Sequence, residues 1–101
     1  MDNVDVVKEI LNKEGYLSSE EFTRDCTLVM ALSKLEKYKA ENDFFEKKYR
    51  MNLGEFESFL HKDKGREDFE KEEDIEDWEF SLNALRWWEE KIRELQSAAG
   101  S

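Results

Sequence analysis

The chain has 101 residues, 42% of them charged and 39% hydrophobic, with 13% aromatic and a net charge of −10. This length supports one domain with a modest core, and the apolar share is too high for plain disorder. No stretch approaches the roughly 20 apolar residues of a membrane span, and the acidic, amphipathic start lacks the basic and apolar regions of a signal peptide, so a cytoplasmic protein without membrane association is expected.

There is no proline and there are only four glycines, so the few helix breakers mark the boundaries. From Met1 to Lys13, Val4, Val7, Ile10 and Leu11 share one face of a short amphipathic helix that ends at Gly15. A second helix starts at a capping box formed by Ser18 and Glu21, with Leu17 and Phe22 at the positions of a hydrophobic staple. Its apolar set shifts along the chain, from Phe22, Cys26, Val29 and Leu32 to a heptad-like series of Ala31, Leu35, Tyr38, Phe45 and Tyr49 that Asn42 interrupts. One long helix to about Arg50 is predicted, with Cys26, which has no partner for an internal disulfide, as a small core residue.

Asn52 and Glu55 repeat the capping signal, with Met51 and Phe56 as staple, and open a short third helix to about His61. Lys62 to Gly65 and an acidic run then read as a polar connection. The run is dense: Glu67 to Glu79 holds nine carboxylates against Lys71 alone, a local charge of −8 that leaves −2 for the rest of the chain. A final helix is predicted from about Asp74, whose carboxylate suits the positive end of a helix dipole, to about Gln96. Its main stripe is Ile75, Trp78, Leu82, Leu85, Ile92 and Leu95, and a second set, Phe80, Ala84 and Trp87, lies about 160–200° away, with Trp88 nearer the first. The fold expected is all-α: a short amino-terminal helix, a long second helix, a short third helix, an acidic connection and a long carboxy-terminal helix, in a single domain over residues 1–96 followed by a flexible tail at 97–101.

A concentrated acidic block beside large aromatic residues points to a surface that docks a basic protein. The candidate partner-binding residues are Glu67, Asp68, Glu70, Glu72, Glu73, Asp74, Glu76, Asp77, Trp78, Phe80, Trp87 and Trp88. Alternatively, the heptad series from Ala31 to Tyr49 supplies a homodimer seam in a self-associating scaffold or adaptor. Catalysis is not expected: the single histidine, His61, sits at a helix end beside Lys62 and Asp63, and no nucleophile has an evident base. No metal or cofactor is implied, since there is no zinc-spaced cluster, phosphate loop or EF-hand pattern. The basic clusters at Lys47, Lys48 and Arg50 and at Lys62, Lys64 and Arg66 are too sparse for direct nucleic-acid binding.

The passage from Phe45 to Glu57 (FEKKYRMNLGEFE), an acidic spacer and then Glu76 to Phe80 (EDWEF) together resemble the small helical antitoxins of toxin–antitoxin pairs. The likeness covers about Ser33 to Leu95. Tyr49, Met51 and Asn52 match an aromatic turn after a long helix, Glu55, Phe56 and Phe59 a short following helix, and Asp74, Glu76, Asp77, Trp78 and Phe80 an acidic aromatic box. The resemblance implies a protein that neutralises a basic, ribonuclease-like toxin by occlusion, presenting carboxylates to its cationic surface. The amino-terminal third shows no DNA-binding arm.

Overall fold

The computed structural model describes residues 3–62 and 69–100. Among these the fold is helical throughout: α1 (Asn3–Lys13), α2 (Ser19–Tyr49), α3 (Leu53–Lys62) and α4 (Phe69–Gly100). No helix is long and apolar enough to cross a membrane.

Each turn follows from local chemistry. Gly15 takes a φ of +92° after α1, where a Cβ would be strained. At the start of α2, Ser18 Oγ accepts the Glu21 amide at 3.1 Å. The return bond differs from a simple capping box, because the Glu21 carboxylate accepts from the Leu17 amide at 3.3 Å, one residue earlier than expected. The staple differs too. Leu17 is 92% exposed, and the Tyr16 ring meets Phe22 edge-on at 5.3 Å in its place. α2 closes at Arg50 in the left-handed region, and Asn52 with Glu55 then forms the reciprocal box expected, with bonds of 2.8 and 3.4 Å.

α2 and α4 form a long antiparallel hairpin. Moving up α2, Tyr38 meets Phe80, Asn42 meets Trp78 and Lys48 meets Asp74 and Glu70, so the partners on α4 run backward. The 31 residues of α2 rise about 46 Å, and the molecule measures 68 × 31 × 17 Å. α3 folds across the closed end of the hairpin. There Phe45, Phe56 and Trp78 make a buried cluster, with Tyr49, Met51, Leu53, Leu60 and Ile75 packed around it. Further along, Ala31, Leu85 and Ile92 are buried, as is Leu11 of α1.

Three expectations are corrected. First, α4 begins at Phe69 and not near Asp74, so the acidic segment from there onward is helix and not connection; its end is Gly100, which places Ser97 to Gly100 in the helix and not in a tail. Glu70 and Glu72 in the first turn lie where a helix dipole favours negative charge, and Lys48 crosses from α2 to offset more of it. Second, Cys26 is exposed. The apolar shift along α2 is a change of side, with Phe22, Cys26 and Val29 outward and Ala31 inward. Third, part of the heptad series is engaged within the chain: Tyr38, Phe45 and Tyr49 contact Phe80, Trp78 and Asp74 of α4.

Candidate interaction surface

The residues singled out in α4 divide between two sides of the helix. Trp78, expected on a partner-binding face, is instead fully buried: its ring stacks on Phe45 at 5.6 Å and on Tyr49 at 6.1 Å, and its Nε1–H donates to Asn42 Oδ1 at 2.8 Å. A large aromatic can occupy this interior only because Asn42 satisfies its one donor. The polar interruption of the heptad series therefore has a structural use. Trp78 is a core residue and not a docking anchor.

Asp74 is also committed internally. Its carboxylate receives Lys48 Nζ at 2.6 Å and the Tyr49 hydroxyl, and its side chain is only 16% exposed. Burial alone would raise its pKa, but the hydrogen bonds from Lys48 and Tyr49, with the Lys48 charge, outweigh it and hold the carboxyl below its ordinary value. Tyr49 is pushed up to about 12, first by burial and then by its bond to Asp74. Lys48 is raised in turn by its bonds to Asp74 and Glu70. Glu70 joins this group at 3.0 Å while most of its side chain remains in solvent.

These shifts set two pH limits. Because Asp74 is depressed, its contribution is complete above the unfolded carboxyl value of about 4 and fades as pH falls through the lower folded value. Because Tyr49 is raised, its contribution is complete below about 10 and fades as pH rises toward about 12. Asp74→Asn is expected to lower the unfolding free energy at neutral pH by about 1–2 kcal/mol, with the difference from the parent protein disappearing in strong acid. Urea unfolding across pH checks this, and an undiminished difference in acid would reject it.

The outward side of α4 is different. Phe80 is 65% exposed and Trp87 is 51% exposed, one on each side of Ala84. Trp88 is half-buried and meets Trp87 edge-on at 4.8 Å, while Lys91 lies over the Trp87 ring at 5.6 Å. Glu72, Glu73, Glu76 and Asp77 are exposed one to two turns before Phe80. Glu67 and Asp68 lie outside the described residues. The side chains of Phe69, Glu73, Asp77, Phe80, Ala84 and Trp87 recur at helical spacing, so charge and aromatic surface share one stripe.

Beside this stripe is an open groove of about 470 Å³ between α2 and α4, lined by Tyr38, Phe44, Asp77, Phe80 and others. Tyr38 meets the Phe80 ring edge-on at 6.1 Å, and Ser81 Oγ donates to the Glu41 carboxylate at 2.6 Å across the same helix pair. Phe44 is 60% exposed. The sequence does not single it out as a binding residue, although its adjacency to Phe45 is a signal: neighbours on a helix diverge by about 100°, so with Phe45 inward Phe44 must lie off the core. Nearer α3, the neighbouring Glu57 carboxyl raises the Glu79 carboxyl pKa, with burial and the charge of Glu76 adding to the effect.

The arrangement places exposed aromatic surface and, toward one end, exposed carboxylates on the outer side of a helix pair. No protein-family model matches the chain, and neither the search of curated proteins nor that of solved structures returned a match.

Proposed function

We propose that the chain is a non-catalytic protein-binding module, an antitoxin that neutralises a basic, ribonuclease-like toxin by covering its cationic surface. The observation that carries this reading is the outward stripe of α4, where Phe80 and Trp87 stand exposed in line with Glu73 and Asp77. Isolated apolar side chains are ordinary on a protein surface, but large aromatics at helical spacing beside a one-sign charge block suit a desolvated contact with a charged rim. In this mechanism Glu72, Glu73, Glu76 and Asp77 speed encounter with the basic partner and orient it, while Phe80, Trp87 and the exposed part of Trp88 supply the anchors that slow release. Trp78 and Asp74 act indirectly, by fixing α4 against α2.

Affinity capture of the tagged chain from its native cells, at low and at high salt, tests the reading. The expected result is one small basic protein whose ribonuclease activity, assayed alone, is suppressed when this chain is added back. A captured partner that is acidic, or a basic partner whose activity is unchanged by the chain, would reject the antitoxin assignment.

A further inference from the structure

A second uncovered face lies at the opposite end of the molecule, on the amino-terminal half of α2. Phe22 is 39% exposed, Val29 68% and Met30 52%, and Cys26 is exposed between them, whereas Ala31, across the helix, is 1% exposed. This half of α2 is thus apolar on two opposite sides, of which the hairpin uses one. The adjoining α1 repeats the pattern: Val6, Val7 and Ile10 are exposed, while Leu11 is buried. Tyr16 links the two surfaces, because it lines an open groove of about 530 Å³ with Val7, Leu11 and Leu17 and its ring meets Phe22.

The molecule also has too much surface for its mass. A compact monomer of 12.1 kDa exposes about 6,000 Å², whereas this chain exposes 8094 Å². Its radius of gyration is 20.8 Å, against about 13 Å for a compact chain of 100 residues. The excess of about 2,000 Å² exceeds the roughly 800 Å² that each partner buries in a standard interface.

Charge decides which occupant suits which face. α4 between Phe69 and Glu79 carries seven carboxylates and one lysine, so a second copy brought to it would meet its own charge sign. α2 has seven acidic and six basic residues, and Asp25, Lys34, Glu36 and Lys37 place both signs beside the uncharged stripe. A face of mixed signs around an apolar centre can meet itself across a two-fold axis. We infer that the outward face of the amino-terminal half of α2, centred on Cys26, Val29 and Met30, is a homodimer interface that pairs with the same face of a second copy. This inference is independent of the antitoxin reading.

Light scattering with size-exclusion chromatography over a wide concentration range tests it, together with the rate at which Cys26 reacts with a thiol reagent. The parent chain is expected at twice 12.1 kDa with a slow thiol. The double variant Val29→Glu, Met30→Glu should weaken the dimer at least about a hundredfold and expose the thiol, with its helical circular dichroism retained because both side chains face solvent in the single chain. Phe80→Ala with Trp87→Ala should leave the dimer intact. A parent chain that is monomeric at every concentration overturns the inference. So does a dimer that survives the α2 substitutions and is lost on the α4 ones, since that would place the seam on α4.

Discussion

Trp78→Ala is expected to lower the unfolding free energy by about 3–5 kcal/mol, the range for truncating a large buried aromatic. Trp78 touches every part of the closed end: it stacks on Phe45 and Tyr49 of α2, lies 5.5 Å from Phe56 of α3 and belongs itself to α4. Its removal leaves a cavity at the junction of three helices and strands Asn42 Oδ1 without its donor. Against a total stability of about 5–15 kcal/mol for a domain, such a loss unfolds much of the population or nearly does. Trp78→Phe separates the contributions. It keeps most of the ring contact and removes the indole N–H, and the expected cost is about 1–2 kcal/mol. Urea unfolding followed by far-ultraviolet circular dichroism measures both, and a Trp78→Ala value within about 1 kcal/mol of the parent, no more than an average substitution costs, would show that this cluster does not hold the closed end together.

Phe80→Ala combined with Trp87→Ala should have the opposite profile. Both side chains are more than half exposed and each keeps one ring contact, so folding stability should change by no more than about 1–2 kcal/mol. Binding to the proposed basic partner should weaken by about 30- to 1,000-fold, the effect of losing interface hot spots worth about 2–4 kcal/mol. The loss should lie in faster dissociation. Neutralising Glu72, Glu73, Glu76 and Asp77 to the corresponding amides should instead slow association and flatten its dependence on salt, because exposed charges steer encounter over distances that ions screen. Stopped-flow or surface-capture kinetics with the purified partner distinguish the two patterns. Aromatic substitutions that change only association, or charge substitutions that change only dissociation, would exchange these roles.

Much of the fold is legible in the amino-acid order. The pairs Ser18 with Glu21 and Asn52 with Glu55 mark helix starts because a short polar side chain can satisfy an amide that the helix leaves open, a requirement independent of tertiary context. Gly15 is equally local. The start of α4 is less legible, since a dense acidic run opposes helix formation by its own repulsion, and what offsets that repulsion here is Lys48, more than 20 residues earlier in the chain. Periodicity also leaves open which side of a helix is inside when two sides are apolar. In α2 it correctly separates Phe22, Cys26 and Val29 from Ala31 and Phe45, yet choosing the inner set requires α4 in place. The same ambiguity put Trp78 on both the main stripe of α4 and the docking face; the interior position follows from Asn42, whose amide oxygen receives the indole proton.

The position of α3 gives the hairpin unequal ends. Where α3 crosses it, three helices share one aromatic cluster, while toward Ser19 the hairpin meets α1, of which Leu11 is buried. Backbone opening is governed by how much packing must be lost at once, so the closed end opens only with global unfolding, whereas the far end can fray on its own and reclose. Phe80, two residues from Trp78, is carried on the slowly opening part, so the proposed partner would meet it already in place. The stripe around Val29 lies on the faster part, where a second copy would act as a clasp, extending to the open end the protection from amide exchange that α3 gives the other.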